Sequence, residues 1–505
     1  MGAHDTFQRN EKPSVRRFWA IAVLLTLAAL AFRLGLALGL PNDESDDGLI
    51  YTQIAVNVLS HKGYSMETEE PYTPTHIRTP GYPLTLAGIY AVFGKENDTV
   101  VRIVQALVDT AGCWIIALVC ALWSPAGWDE ARKHRAMLWA LALVAACPFT
   151  AIYVACILTE TWALFFGTLA VLAGSWALRG EGMAAGRWVS TGLLGGVAVL
   201  YRPDSGLLMA AVGGTLVVVW LREVFMGLRR GALTRRPSQG FLLALAFAAV
   251  LAPWTMRNAV SIGVFQPLSP PHANMPGEFV PLGYDRWLRT WITDYRYIPA
   301  FEWQVGTDPL SVDQAPSKAF DSPEEKAEVA ALFDRYNRGD SEAVPPAGRK
   351  LSPSMTPAID ANFAALAKAR IARHPVRYYV VLPVIRAAGL WFDTHSLYYP
   401  FEGELFPVSA LDQEARQGFW LPLFLVLVWL YTLAALAGAR VLWREGNRIW
   451  LLLLSLLFIP RLLFFASLEN PEPRYMVELF PFVCAVGALA LATLKVRRTV
   501  NAGPS

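Results

Sequence analysis

The sequence predicts an all-α polytopic membrane protein, and three observations carry that expectation. Over 505 residues the chain is 54% hydrophobic and only 17% charged, where a soluble chain carries roughly 25% charged residues. Its apolar residues fall in long runs, and its mean hydropathy is +0.35. Its basic residues gather in short loops between those runs. The net charge of +3 offers no basic field for nucleic acid. The five cysteines, Cys113, Cys120, Cys147, Cys156 and Cys484, stand in apolar stretches without metal or redox spacing. They read as small buried apolar residues.

A spanning helix needs about 20 mostly apolar residues. The first run, 18–40, is too long for a signal-peptide core and no small-residue cleavage site follows it, so it reads as a retained span. The first outer loop, 41–98, is acidic: Asp43, Glu44, Asp46, Asp47, Glu67, Glu69 and Glu70 face only Lys62 and Arg78 before its apolar stretch. Spans follow at 99–123, 137–155, 161–178, 188–202, 204–221 and 240–256. The stretch 257–417 is hydrophilic. Within it, Ser322-Pro323-Glu324-Glu325 starts a helix that runs to Asn337, with Gly339 past its end. A second helix, 358–373, stops before His374-Pro375. No run of alternating strands occurs, so a small helical and irregular extracytoplasmic segment is expected on the membrane face. Spans at 418–439, 449–467 and 475–494 complete the chain. The shorter apolar stretches 82–93 and 378–392 read either as spans or as interfacial helices, which gives about ten to twelve crossings. Three regions result: an N-terminal transmembrane module (1–256) containing the outer loop, the segment 257–417, and a C-terminal transmembrane module (418–505).

Basic residues favour the cytoplasmic side of a bilayer. Arg9, Lys12, Arg16 and Arg17 precede the first span and place the N-terminus inside. With about ten crossings, the loops holding Arg132, Lys133 and Arg135, then Arg179 and Arg187, then Arg222, Arg229, Arg230, Arg235 and Arg236, then Arg440, Arg444 and Arg448, fall on that same side. So does the C-terminus, with Lys495, Arg497 and Arg498.

Acidic residues in or beside spans are costly and mark function. Here the spans read as nearly free of them, and the acids gather at span ends that share the outer surface: Asp46, Asp47, Glu160, Asp204, Glu469 and Glu472. Two arginines share that surface. Arg78 stands in His76-Ile77-Arg78-Thr79-Pro80-Gly81-Tyr82-Pro83, stiffened by proline, and Arg474 stands behind Pro473. The planar guanidinium fork suits phosphate. Ordinary turn acids and lipid-snorkelling arginines explain any one of these residues alone, but less readily the whole set on one face.

These pieces, in order, resemble the C-type, polyprenyl-phosphate-dependent membrane glycosyltransferases, which include the protein O-mannosyltransferases and the aminoarabinose transferase of lipid A. The matching stretches are Asp47-x-x-x-Tyr51-x-x-x-Ala55, Gly63-Tyr64, Arg78-Thr79-Pro80-Gly81-Tyr82-Pro83, Leu158-Thr159-Glu160, Tyr201-Arg202-Pro203, Pro253-Trp254-x-x-Arg257-Asn258, and Pro473-Arg474-Tyr475 with Pro481 beyond. They cover residues 18 to about 494. The resemblance implies a GT-C-type fold and transfer of a sugar from a polyprenyl-phosphate carrier, with inversion, at the extracytoplasmic face of a bacterial inner membrane. It implies that the acid after the first span is the base. The spacing to Tyr51 selects Asp47, with Asp46 the near rival, because Gly48 stands where some relatives carry Glu. It matches Glu160 to a second acid and Arg78 to the residue that holds the carrier phosphate. The expected substrate-binding set is Arg78, His76, Tyr51, Tyr82, Arg202, Glu472, Arg474 and Tyr475, with Tyr64, Tyr72 and Trp254 as further aromatic surfaces. No permanently bound cofactor and no divalent metal are expected. The donor is the lipid-linked sugar; the acceptor, protein, lipid or glycan, is left open, and 257–417 matches no acceptor class. The competing readings are a transporter or flippase of a lipid-linked substrate and a non-catalytic relative.

Overall fold

The structure, a computed structural model, describes residues 4–41, 46–180, 183–227, 232–339, 353–403, 405 and 415–494. Of the residues named above, Asp43, Glu44, Arg229, Arg230, Lys495, Arg497 and Arg498, and the side chains of Asp46, Arg9 and Lys12, lie outside the described set.

Every regular element among the described residues is helical. The first region holds α1 (His4–Gly39), α2 (Asp46–Leu59), α3 (Gly81–Phe93), α4 (Asp98–Trp123), α5 (Glu130–Ala145), α6 (Pro148–Ala151), α7 (Glu160–Arg179), α8 (Ala185–Tyr201), α9 (Gly206–Phe225) and α10 (Ala232–Ser261). The hydrophilic stretch holds α11 (Leu282–Leu288), α12 (Pro323–Asn337), α13 (Pro357–Arg373) and α14 (Leu382–Phe392). The chain closes with α15 (Ala415–Arg444), α16 (Arg448–Ala466) and α17 (Phe480–Leu491).

Among the described residues, 8 helices are long and apolar enough to cross a membrane. α5 and the short helix after it, bent by 54° at a break, make a ninth crossing if taken as one. α8 is 17 residues long, about 25 Å, and lies in the same bundle, giving ten, the lower end of the expected range. α3, at 13 residues, is too short to cross alone; α14 continues the π-helical turn Arg377–Val381 and ends with Trp391 against Phe458, midway along α16. Helix order agrees. Asp47 and Arg474 meet at one end of the bundle, and a crossing by one of α3 and α14 without the other would have put them at opposite ends.

The break in α5 follows from chemistry. Pro148 has no amide hydrogen to continue the ladder, which frees the carbonyls of the preceding turn. Arg33 of α1 donates to Val144 O at 3.2 Å and Ala145 O at 3.3 Å, and pairs with Asp109 of α4 at 2.5 Å. The spans, expected to be nearly free of acids, hold Asp109 and Glu478, and Glu223 stands in α9 just beyond the expected 204–221; each pairs with a buried arginine, Arg33, Arg461 and Arg236. A lone charge in hydrocarbon is costly, and pairing inside the bundle is what makes these tolerable.

Close helix approach relies on small residues. A Cβ on Gly196 would lie 2.7 Å from Val250 of α10. A Cβ on Gly438 of α15 would overlap the Val486 carbonyl of α17. Gly438→Ala is therefore expected to lower the thermal midpoint in detergent, by about 1–3 kcal/mol of stability for an overpacked contact. An unchanged midpoint would mean that these helices do not touch there.

The stretch after α10 builds its own core. Tyr284, Trp287, Trp291, Phe301, Phe333 and Phe363 pack together. Ser322 caps α12 by accepting from Glu325 N, Thr356 caps α13 in the same way, and Gly339 follows α12 at φ 65°. α12 has the bounds expected from its Ser322 cap and Gly339, and α13 begins one residue before the expected 358 and ends at the expected Arg373.

A candidate active site at one end of the bundle

Asp47 stands in the first turn of α2, just after the first span ends. The loop behind α2 folds back as an extended segment. Asn57 Nδ2 donates to Ser65 O and Glu67 O, both at 2.9 Å. Tyr64 Oη donates to Arg78 O and Thr79 O, both at 3.1 Å. Gly81 lets this segment lie against the end of α8, since a Cβ there would be 2.6 Å from Leu200 O. From α10, Arg257 donates to Thr75 O at 2.6 Å and Tyr64 O at 3.1 Å, with the Tyr64 and Trp254 rings against its guanidinium. The backbone that carries Arg78 is thus pinned from two helices.

The result is a carboxylate shared by two guanidiniums. Arg78 Nη2 donates to Asp47 Oδ1 at 2.6 Å, and Arg474 Nη2 donates to Oδ2 at 3.4 Å. Arg474 lies 427 positions away in sequence. Its Nε also lies 2.5 Å from Glu472 and its Nη1 lies 3.9 Å from Glu160. Burial raises the Asp47 carboxyl, but the charges of Arg78 and then Arg474 outweigh it and hold the group below the usual carboxylate range. Glu472 goes the other way: burial pushes it up in spite of Arg474.

Behind this pair stands a second layer. Arg202 donates to Glu160 and, at 3.1 Å, to Asp204. Arg461 donates to Asp204 and, at 2.8 Å, to Glu478, which also accepts from Ser205 at 2.7 Å. Tyr475 stacks on Phe465, with Arg202 and Arg474 each 5.9 Å from its ring.

The structure brings Asp47, Glu160, Arg78, Arg202, Glu472, Arg474 and Tyr475 into one connected cluster. Their accessibility differs. The Asp47 side chain keeps 27% of its exposure, against 3% for Glu160. Tyr51 borders the cluster and packs edge-on against Tyr82. Tyr82 itself is a correction to the expected set. It is fully buried and donates to Gln105 at 2.9 Å, so it backs the site and presents no surface to a ligand. His76 is likewise buried, and burial followed by the nearby Arg257 charge lowers its pKa. The Asp46 side chain lies outside the described residues.

Sequence reasoning missed Arg461, Glu478 and Tyr398, whose hydroxyl accepts from Arg474 Nη1 at 3.3 Å. A charge inside an apolar run was the available signal for the first two. On the metal question, one arrangement beside the site has ligand chemistry: His272, Asp285 and Glu469 offer atoms within 4.8 Å of one another. Burial and the neighbouring acids push Asp285 to about 7 and Glu302 to about 8. Arg289 already pairs with Glu469 and competes with a cation there.

No family model matches the sequence and no curated protein matches it. Solved structures do. The archaeal oligosaccharyltransferase AglB from Archaeoglobus fulgidus, in complex with an inhibitory peptide and a dolichol-phosphate, aligns with 13% identity over 94% of this chain and 50% of that chain, at TM-score 0.50. The ArnT of Cupriavidus metallidurans bound to undecaprenyl phosphate aligns with 17% identity over 95% of this chain and 77% of that chain, at TM-score 0.38. The first likeness establishes the fold, a GT-C-type all-α membrane architecture. This chain spans about half the length of that oligosaccharyltransferase.

Proposed function

We propose that this protein is a glycosyltransferase that moves a sugar from a polyprenyl-phosphate carrier to an acceptor hydroxyl or amine at the extracytoplasmic membrane face. The observation that carries the reading is Asp47, the most exposed carboxylate among the described residues of the cluster, bridged between Arg78 and Arg474 at the end of the bundle away from the basic loops. The positive-inside bias of those loops favours the outer face.

The chemistry follows from the sharing. Without donor, both arginines neutralise Asp47 and make it a weak base. A carrier phosphate draws the guanidiniums toward itself, since phosphate accepts the same forked donation. Asp47 then loses its compensating charge and becomes more basic when a sugar is in place. The acceptor's proton passes to Asp47, and its oxygen or nitrogen attacks the anomeric carbon from the face opposite the phosphate. The carbon–oxygen bond to phosphate breaks with its electron pair on that oxygen, and polyprenyl phosphate leaves, stabilised by Arg78 and Arg474. The configuration inverts. Glu160 and Glu472 hold Arg202 and Arg474 in register, and Tyr51 and Tyr475 line the approach. No step in this scheme calls for a metal.

Arg78→Ala is expected to lower kcat/KM for the donor by about 10- to 100-fold, the scale of one charge-assisted hydrogen bond. It is also expected to move the acid limb of the pH profile. The base form of Asp47 is present above its pKa and lost as pH falls through it. Removing Arg78 takes away the largest lowering influence, so the limb moves to higher pH. A pH series on donor kcat/KM checks this, and a limb that stays put or moves down counts against Asp47 as the base. The activity itself is tested by reconstituting the full chain in liposomes with polyprenyl-phosphate sugars. Release of polyprenyl phosphate coupled to acceptor glycosylation is expected; movement of the labelled lipid across the bilayer without release would make the protein a transporter instead.

A further inference from the structure

Between α13 and α15 the chain dips into the bundle and returns. Arg386 near the start of α14 donates to Ile292 O at 2.7 Å and Ala466 O at 3.4 Å, the latter at the end of α16. Near the other end of α14, Trp391 packs on Phe458 and Phe480 and donates to Thr432 at 3.0 Å. Phe458 stands eight residues before Ala466, about 12 Å along the helix. The chain turns there through His395, at φ 50°, and climbs back, with Tyr399 Oη donating to Pro148 O at 3.1 Å. The climbing limb delivers Tyr398 to Arg474.

Tyr398 sits at φ 69°, the left-handed region where glycine is at ease and a bulky side chain is strained. Such conformations persist where surrounding contacts impose them, and they cluster at functional sites. The contacts here are specific: the ring packs edge-on to Tyr153, the amide donates to Glu402 at 3.2 Å, and the hydroxyl accepts from Arg474 Nη1 at 3.3 Å. Beside the Tyr475 ring at 5.9 Å, the other polar groups paired with that guanidinium, Asp47, Glu472 and Glu160, are carboxylates. A hydroxyl orients a guanidinium without cancelling its charge.

We propose that Tyr398 is the positioning residue that fixes the Nη1 end of Arg474 among its carboxylate neighbours, and so sets how tightly the site grips an incoming phosphate. This rests on the reading of Arg474 as a phosphate-holding group. Without the hydroxyl, Nη1 is left to Glu160 and the guanidinium turns further toward its carboxylates, so less of its charge is left for a ligand.

The test compares binding of polyprenyl phosphate with binding of the neutral polyprenol to the full chain in lipid nanodiscs. The wild type is expected to prefer the phosphate. Tyr398→Phe keeps the ring on Tyr153 and is expected to weaken phosphate binding by about five- to tenfold, the scale of one hydrogen bond, with polyprenol binding and thermal midpoint unchanged. Tyr398→Gly, which relieves the backbone, is expected to lose phosphate affinity at least as far. Phosphate binding at wild-type strength in Tyr398→Phe overturns the proposal, as does an equal loss of both ligands together with a lower midpoint, which marks a purely structural role. A wild type that binds phosphate and alcohol equally overturns the phosphate-holding reading itself, and the positioning role with it.

Discussion

Asp47→Asn is expected to cut sugar transfer by about two to four orders of magnitude, the contribution of a positioned general base, while tightening the grip on the carrier. The two effects have one cause. Asparagine cannot take the acceptor's proton, so the chemical step loses its base. It also carries no charge, so Arg78 and Arg474, which both donate to Asp47, are left free for a phosphate. A variant that binds polyprenyl phosphate more tightly than wild type yet barely transfers is hard to obtain by unfolding or by loosening the site. Stability should change little, because these pairs are partly exposed, and such pairs contribute about 0–1 kcal/mol. Single-turnover transfer and equilibrium binding on the same preparation separate the two effects. Full transfer activity would remove Asp47 from the role of base.

Arg461→Met is expected to have the largest effect on the fold. The Arg461 side chain has 0% exposure and lies between Asp204 and Glu478, and its Nε donates to Tyr475 O at 2.7 Å. Removing it leaves two buried carboxylates facing each other without their shared cation, and breaking a buried pair in this way costs about 3–5 kcal/mol. It also releases Asp204 wholly to Arg202 and frees the backbone carbonyl beside Arg474. Both a lower thermal midpoint and reduced transfer should follow. Arg461→Lys, which keeps the charge, should recover much of the stability but not all of the geometry, since an ammonium lacks the fork. If the Arg461→Met substitution leaves the midpoint at its wild-type value, the Asp204–Arg461–Glu478 triad does not exist as described.

The helices were legible because a span is a composition signal: twenty apolar residues announce themselves whatever their partners are. α12 was legible for a local reason, the Ser322 cap with Pro323 just inside, and α13 because its pattern stops before His374-Pro375. Arg78 was visible because its prolines and glycine mark a stiff turn, and Arg474 because it follows Pro473 between two apolar runs. What failed to show has a common cause. One charge in an apolar run barely moves its hydropathy, so Asp109, Arg461 and Glu478 were absorbed into spans. Arg33 lies 76 residues from Asp109 and Asp204 lies 257 from Arg461, and even the 17 residues between Arg461 and Glu478 cross a turn between two helices, so no spacing revealed them. Tyr82 was misplaced because an aromatic beside a membrane boundary reads alike whether its helix turns it inward or outward. Tyr398 owes its position to a backbone angle and a re-entrant limb, neither of which has a residue pattern. The short stretches 82–93 and 378–392 stayed ambiguous because length alone cannot separate a half-depth helix from a short span.

The central claim is that Asp47, Arg78 and Arg474 together grip one carrier headgroup. An experimental structure of the full chain in lipid nanodiscs with polyprenyl phosphate bound tests it most directly. The account predicts the phosphate within hydrogen-bonding distance of both guanidiniums, with the Asp47 carboxylate facing the position of the missing sugar. A phosphate bound elsewhere on the protein, with Arg78 and Arg474 still closed on Asp47, would contradict it.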